Sequence, residues 1–396
     1  GDKIYNKESL INNQVFELQK SVEIPKENNL KFKCDKELDW GEIPYELNFD
    51  RKNKTSILNN GISVTTLDYS SPIISISVFI RCGSVDESLE ASGSAHFLEH
   101  MHFKGTPKRN KKQLEMEIES KGAHLNAYTT RDYTSYILNV FKEEIDWGVE
   151  LLSDILTKSL YLSNFIERER DTIYTELIEC EKEEFETILE NSHYTVFKDH
   201  PISRPILGLK ENIMSVTRDQ IVEFHTRNYC GQKILFSVTG EVDHDNLKFI
   251  INKHFGHLPS TSNIPALVYT KPEFKPRVTL TDGPDGFLKA GMFWEAPSWF
   301  DEDYIPFLIL QRIVGDYKKS LFDLPNNNQS CNKFSNLLAS VPEIETIKTA
   351  FTPYKDVGLF GMFVECEDKY GEDTLLFLRA YIQDLYINIS ETDILN

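Results

Sequence analysis

The stretch that decides the fold lies between residues 96 and 105 and reads His96-Phe97-Leu98-Glu99-His100-Met101-His102-Phe103-Lys104-Gly105. Its first five residues have the form H-x-x-E-H. Residues four apart lie on one face of an α-helix, so His96 and His100 can point their imidazoles at one zinc ion. Glu99 lies on the same side and can reach a water molecule there without being a ligand. The spacing predicts a helix that carries most of a hydrolytic zinc site, although such a pair also occurs on polar helix surfaces.

Size and composition limit the class of protein. A chain of 396 residues suits two domains, and its 40% hydrophobic and 27% charged residues are typical of a soluble globular protein. Its longest apolar runs, such as Ile73 to Ile80, have the length of strands and are too short to span a membrane. The formal net charge is -19, so a nucleic-acid partner is not expected. A basic peptide would suit acidic surfaces, while the simpler interpretation is that the acidity keeps the chain soluble.

The six cysteines are far apart and form no C-x-x-C pair. This spacing argues against a zinc–cysteine site and a dense disulfide scaffold, and it favours a reducing compartment. The first ten residues include Asp2 and Glu8 and resemble neither a signal peptide nor an Arg-rich transit peptide. We therefore expect any targeting segment to be absent from this sequence.

Composition and periodicity divide the chain into four parts. Residues 1–45 are polar and lysine-rich and are predicted to be an N-terminal extension. Residues 46–260 are predicted to form a first domain, residues 261–276 a linker, and residues 277–396 a second domain. The order strand, strand, helix recurs in the second domain, which indicates an internal duplication. Its equivalent helix has no histidine and this copy looks incomplete, so any chemistry is expected in the first domain.

Turn signals and periodicity predict the individual elements. Asn59-Asn60-Gly61 between two short apolar runs is typical of a β-hairpin. Strands are expected at residues 55–58, 62–67, 73–81, 123–129, 133–140, 234–239, 277–280, 289–294 and 357–366. Besides the helix that carries the motif, helices are expected at residues 8–20, 111–121, 146–158, 165–197, 217–229, 246–254, 304–314 and 374–386.

The helix predicted over residues 165–197 is unusually rich in glutamate. Most of these side chains are expected to form a solvated face. Glu169, Glu176, Glu183 and Glu190 recur at a seven-residue spacing, about two helical turns, and are therefore predicted to share one stripe. A carboxylate is also the usual third protein ligand beside a histidine pair.

Four segments together resemble a known family, the inverzincin or pitrilysin-type (M16) peptidases. They read Gly93-Ser94-Ala95-His96-Phe97-Leu98-Glu99-His100-Met101-His102-Phe103-Lys104-Gly105-Thr106, Ala123-His124-Leu125-Asn126-Ala127-Tyr128-Thr129, Ile166-Glu167-Arg168-Glu169-Arg170-Asp171 and Pro205-Ile206-Leu207-Gly208. The resemblance runs from about residue 50 to the end of the chain and is strongest in the first half. It implies an α+β protein with two homologous α/β domains, each a mostly antiparallel sheet flanked by helices. The first would be catalytic, and the second would be inactive and truncated.

The resemblance also implies roles for individual residues of a zinc metalloendopeptidase. Glu99 is expected to be the general base that takes a proton from the attacking water. Glu169 is expected to support the site without binding metal, with a salt bridge to Arg168 or Arg170 as the alternative. His102 faces another side of the helix and is not expected to be a ligand. The implied ligands of one Zn2+ per chain are His96, His100 and Glu176.

Other residues match positions that contact substrate in the family. The strand with Asn126, Ala127 and Tyr128 is expected to pair with an extended peptide, because a sheet edge offers main-chain hydrogen bonds to any sequence. Phe103 matches the aromatic residue that contacts the substrate just after the cleaved bond, with core packing as the alternative.

An acidic pair, Glu186 and Glu190, matches the residues that recognise an arginine two positions before the cleaved bond. An arginine offers a fork of donors that suits two carboxylates. The expected substrates are therefore basic, Arg-containing presequence peptides, and the charge of -19 is consistent with them.

The motif is intact, which favours an active enzyme, and three functions remain open. In the first, the chain is the catalytic β-type subunit of a zinc endopeptidase that removes presequences from proteins imported into mitochondria. A related α-subunit would complete the heterodimer with a glycine-rich loop that this chain lacks. The expected location is the mitochondrial matrix, the matrix side of the inner membrane, or a mitochondrion-related organelle. In the second, it is a core subunit of the cytochrome bc1 complex with a structural or dual role, and in the third a single-chain M16 peptidase that degrades free peptides.

Overall fold

A computed structural model of the protein describes residues 53–280, 286–322, 337–338, 341 and 343–389. The predicted N-terminal extension over residues 1–45, with its helix at residues 8–20, lies outside the described residues. Among the described helices, none is both long and apolar enough to cross a membrane.

The first sheet is built from β1 (Asn53–Ile57), β2 (Ser63–Asp68), β3 (Ile73–Ile80), β4 (His124–Thr129), β5 (Thr134–Phe141) and β6 (Ile234–Gly240). Its order is β1-β2-β6-β3-β5-β4, and every neighbouring pair is antiparallel except β2 and β6. Side chains alternate between the two faces of a strand, and in β3 the side chains of Ile74, Ile76, Val78 and Ile80 are buried. The sheet order makes β4 an edge strand that pairs with β5.

The helices of the first half are α1 (Ser94–His102), α2 (Lys111–Ser120), α3 (Ile145–Lys158), α4 (Ser163–Cys180), α5 (Glu184–Val196), α6 (Lys210–Ser215), α7 (Arg218–Asn228) and α8 (His244–Phe255). The helix that carries the motif, α1, packs against α4, α7 and β4. Phe97, Leu98 and Met101 on α1 are at most 1% exposed. Burial of each such side chain contributes about 1.5–3 kcal/mol. This packing fixes α1 in place and leaves Glu99 and His100 partly exposed on its other side.

The single helix predicted over residues 165–197 is wrong, because α4 ends at Cys180 and α5 begins at Glu184. Glu183 breaks the helix with an extended backbone, at ψ 98°. Like charges three and four positions apart destabilise a helix, and glutamates are dense between residues 179 and 184. No glycine or proline marks the break, and the sequence therefore carries no signal that the helix is divided there. Glu183 and Glu190 therefore do not share a helical stripe with Glu169 and Glu176.

The second sheet is antiparallel and has the order β7-β10-β9-β8. Its strands are β7 (Phe287–Ala296), β8 (Tyr317–Lys318), β9 (Ile344–Pro353) and β10 (Gly358–Glu367), and its helices are α9 (Tyr304–Val314), α10 (Lys319–Phe322) and α11 (Gly371–Asn388). Helix α9 follows β7 as α1 follows β3, which agrees with the expected duplication. The division of the chain at residues 46, 260 and 276 stays a prediction.

In this second half one predicted strand is wrong and one observed strand was missed. The strand expected at residues 277–280 is wrong, because the first strand begins at Phe287 and Val278 and Leu280 remain 67% and 68% exposed. The long strand β9 was not predicted at all. The other predicted elements that lie in described residues are confirmed, with small shifts at their ends.

A small apolar cluster joins the end of α5 to the second sheet. Val196, Phe197 and Ile202 pack with Tyr354, Val357 and Leu359. Val357 lies just before β10 and Leu359 near its start, and both are buried. Helix α5 therefore contacts both halves of the described chain.

Candidate metal centre and active site

Helix α1 is held at its start by a buried carboxyl group from the preceding loop. Glu87 accepts hydrogen bonds from the backbone N–H groups of Gly93 and Ala95 at 2.8 and 2.7 Å. Gly93 has a φ of +94°, and a Cβ at this position would lie 2.7 Å from the carbonyl oxygen of Leu207, so glycine is required here. Burial raises the pKa of Glu87 to about 8, although the two N–H groups oppose the shift.

Three side chains converge between α1 and α4. Nε2 of His96 lies 3.6 Å from Oε1 of Glu176, and Nε2 of His100 lies 3.5 Å from Oε2 of Glu176. One ligand atom from each of these residues lies within 4.8 Å of the other two. Two imidazole nitrogens and one carboxylate are the donors of many catalytic zinc sites, with a fourth position open. The arrangement fits a metal ion and brings together the three ligands expected from the sequence.

The orientation of His100 is set by Glu169. Oε2 of Glu169 lies 3.0 Å from Nδ1 of His100, on the side of the ring away from Glu176. The alternative salt bridge with Arg168 or Arg170 is not observed, since Arg170 pairs with Glu167 and Glu169 pairs with His100 and Lys104. An acceptor at Nδ1 fixes the ring tautomer that presents Nε2 to a metal.

The pKa values of His96 and His100 are shifted in opposite directions. Burial and the nearby His100 lower the pKa of His96 to about 4. Burial also disfavours a charge on His100, but hydrogen bonds to Glu169 and Glu176 outweigh it and raise the pKa of His100 to about 9. Metal ions bind neutral imidazole, so metal binding at neutral pH would release the proton that His100 holds.

Glu99 faces the edge strand of the first sheet. Its Oε2 accepts a hydrogen bond from the hydroxyl of Thr129 at 2.5 Å. Burial raises the pKa of Glu99, while the bond from Thr129 opposes the shift. A raised pKa suits a carboxylate that takes a proton from water near neutral pH and then delivers it. Thr129 was not predicted as a site residue, although it directly follows the three residues that match the substrate-binding strand.

Beside Glu99, β4 offers a sheet edge to solvent. Asn126 and Tyr128 are exposed, Ala127 is partly buried, and the strand pairs with β5 on one side. The side-chain oxygen of Asn126 accepts the N–H of Ala127 at 2.9 Å. Phe103 caps the C-terminal end of α1 and is partly buried. An extended peptide could add to this edge in the way expected from the sequence.

The expected acidic pair is split between two environments. Glu186 lies in the first turn of α5, is exposed, and makes no hydrogen bond or ion pair with the described residues. Glu190 lies one turn further along and its Oε2 is 2.8 Å from Nη2 of Arg131. The side chain of Arg131 is 3% exposed. Glu186 is therefore free to meet a ligand, while Glu190 already has a cationic partner.

His102, two residues after His100, belongs to the core, as its spacing suggests. Its ring is 0% exposed and lies within 2.7 Å of the Tyr136 hydroxyl and 3.0 Å of the Tyr161 hydroxyl. Burial holds its pKa well below the usual range. His102 therefore ties α1 to the sheet and takes no part in the metal-facing cluster.

Fold and site together are those of a metal-dependent hydrolase with a sheet edge beside Glu99. Residues 64–210 match the family described as Insulinase (Peptidase family M16), and residues 215–395 match the Peptidase M16 inactive domain. The chain belongs to peptidase family M16, a family of metallopeptidases whose metal is generally zinc.

Named relatives are similar over most of the chain. The mitochondrial-processing peptidase subunit beta of Neurospora crassa is 35% identical over 351 residues, which are 87% of this chain and 73% of that protein. The subunit of the same name from Saccharomyces cerevisiae is 35% identical over 326 residues, 78% of this chain and 68% of that protein. The fold is similar to a protease from Helicobacter pylori with a TM-score of 0.74 and 18% identity, covering 87% of this chain and 82% of that chain.

Proposed function

We propose that this chain is the catalytic subunit of a zinc endopeptidase that removes basic, Arg-containing presequences from proteins imported into mitochondria. The observation that carries the proposal is the convergence of His96, His100 and Glu176 within reach of one ion, beside Glu99 and the edge of β4. The relatives named mitochondrial-processing peptidase subunit beta support the biological setting. The proposed location is the mitochondrial matrix, the matrix side of the inner membrane, or the equivalent compartment of a mitochondrion-related organelle.

The residues divide the reaction between them. One zinc ion, held by His96, His100 and Glu176, would supply Lewis acidity and lower the pKa of water. Glu99, held by Thr129, takes a proton from the attacking water and gives it to the leaving amine. These roles give a hydrolysis in which both proton transfers pass through one carboxylate.

Substrate would bind as an added strand. Main-chain groups of β4 at Asn126, Ala127 and Tyr128 pair with the extended peptide and bring its carbonyl to the base. Phe103 contacts the residue after the cleaved bond. An arginine before that bond is attracted by Glu186 and Glu190, although the pairing of Glu190 with Arg131 leaves Glu186 as the more available carboxylate.

A related α-subunit is the proposed partner, and it distinguishes this function from a single-chain peptidase. The test incubates the zinc-loaded chain with a presequence peptide, with and without its cognate α-subunit, and locates the cut by mass spectrometry. A matched peptide with norleucine in place of the arginine is the control. We expect one cut, dependent on the α-subunit and weaker in the control peptide.

Each other result of this test points to another function. Cleavage that is equal without the α-subunit would identify a single-chain peptidase. Zinc binding without any cleavage would identify a structural subunit, as in the cytochrome bc1 complex. Failure to bind zinc would contradict the proposed site itself.

A further inference from the structure

Five side chains on α1, on the residues just after it and on α4 form a ladder in which basic and acidic groups alternate. His96, His100 and Lys104 follow one another at four-residue intervals, while Glu176 and Glu169 lie seven positions apart on α4. Glu176 lies beside His96 and His100, and Glu169 lies beside His100 and Lys104. The two helices therefore run in opposite directions, and Lys104 is the last member of the ladder.

Lys104 reaches the ladder from just beyond the end of α1. Its N–H bonds to the carbonyl of Met101 at 3.1 Å, which continues the helical turn past His102. Its Nζ lies 2.7 Å from Oε1 of Glu169, and the two side chains are only 14% and 9% exposed. A charge-assisted hydrogen bond between two such shielded groups is strong and directional.

The two oxygens of Glu169 thus have separate partners. Oε1 faces Lys104, and Oε2 faces Nδ1 of His100. The carboxylate cannot rotate without breaking one of these contacts. Without the ammonium group, Oε1 would be left shielded from water with no cation beside it, which is costly. The carboxylate could then turn, and His100 would lose the acceptor that fixes its ring.

We propose that Lys104 is a positioning residue for the metal site, acting through Glu169 to hold the His100 ring with Nε2 toward the metal. The inference rests on the proposed zinc site and adds to it a residue that never touches the ion. Partners that orient a metal-bound histidine typically change metal affinity or activity about 10–100-fold when they are removed. Removal of the Lys104 ammonium group is expected to lower zinc affinity and turnover by a factor in this range and to leave peptide binding unchanged.

The test compares Lys104→Met and Lys104→Arg with a matched control, Lys108→Met. Lys108 pairs with Glu150, and its side chain is 58% exposed. Zinc affinity is measured on the 396-residue chain by competition with a chelator, and kcat and KM are measured with the α-subunit present. Melting of the metal-free proteins reports whether each variant folds, and Lys104→Gln replaces Lys104→Met if that variant does not.

The expected result is a zinc affinity about tenfold or more weaker in Lys104→Met, a lower kcat and an unchanged KM. Lys104→Arg should recover most of both losses, and Lys108→Met should behave as the unsubstituted chain does. A folded Lys104→Met that binds zinc and turns over normally would overturn the inference, and so would a loss that arginine does not restore. If the unsubstituted chain binds no zinc in the same titration, the proposed function fails instead.

Discussion

The hydroxyl of Thr129 donates a hydrogen bond to Oε2 of Glu99 at 2.5 Å, which links the last residue of β4 to α1. The strand that is proposed to bind the peptide thus also holds the carboxylate that is proposed to activate water. A peptide that pairs with β4 would thereby be brought into register with Glu99. In the proposed function, this contact connects substrate binding to chemistry.

Thr129→Val is expected to lower kcat by about tenfold to a hundredfold. A hydrogen bond to a charged group contributes about 1.5–3 kcal/mol, and about 1.4 kcal/mol corresponds to a factor of ten in rate. Zinc affinity should not change, because Thr129 contacts none of the three ligands. Steady-state kinetics and a zinc titration of the same preparation measure both quantities.

The matched control for this change is Thr129→Ser, which keeps the hydroxyl and should keep most of the activity. A Thr129→Val variant with normal kcat would show that the base needs no partner on β4. A parallel loss of zinc would mean that the residue acts on the metal site.

The two members of the acidic pair are expected to behave differently. Glu186 has no described partner, whereas Glu190 neutralises Arg131, which also donates to the backbone carbonyls of Ile202 and Arg204. Glu186→Gln should reduce the preference for an Arg-containing peptide by about tenfold and leave the melting temperature unchanged. Glu190→Gln should also lower the melting temperature, because it leaves a shielded guanidinium without its carboxylate.

Parallel kinetics with the arginine peptide and its norleucine control, together with thermal melting, check this difference. Glu179→Gln serves as a control, since Glu179 is exposed at the end of α4 and pairs with Lys182 in the turn that follows the helix. An equal loss of rate on both peptides in Glu186→Gln would remove the proposed role in arginine recognition. A Glu190→Gln variant as stable as the unsubstituted chain would show that Arg131 does not depend on it.

Glu87 should make the stability of the fold depend on pH. Burial raises its pKa from 4.5 to about 8 in the folded protein. Between these values the unfolded chain has lost the proton and the folded protein keeps it. The contribution of Glu87 to the free energy of unfolding is therefore fully present below pH 4.5 and is lost as the pH rises toward 8.

Glu87→Gln removes this titration, so its unfolding free energy should fall less steeply than that of the unsubstituted chain over the same pH range. Denaturant unfolding of the metal-free proteins at several pH values measures the slope, with Glu90→Gln as a neighbouring control. Identical slopes for Glu87→Gln and the unsubstituted chain would refute the assignment.

The sequence was sufficient where local spacing decides the structure. His96 and His100 share a helix face because four residues make about one turn, and β3 alternates because successive strand residues face opposite sides. The family resemblance supplied Glu176, which lies far away in sequence and meets the histidines only when α4 packs on α1.

The remaining features depend on contacts that no local pattern encodes. The break before α5 lies where glutamates are dense, and no glycine or proline marks it. Lys104 and Thr129 reach their partners, and with them their proposed roles, only through the packing of α4 and β4 against α1. Arg131 likewise meets its carboxylate partner, Glu190 on α5, only in the folded chain.

The central claim is that Glu99 is the base of a zinc site formed by His96, His100 and Glu176. The most direct test measures bound zinc and peptide cleavage in Glu99→Gln, purified beside the unsubstituted chain and assayed with the same α-subunit. We expect one zinc per chain in both proteins and no detectable cleavage by Glu99→Gln. Cleavage at an undiminished rate by the zinc-loaded variant would contradict the account.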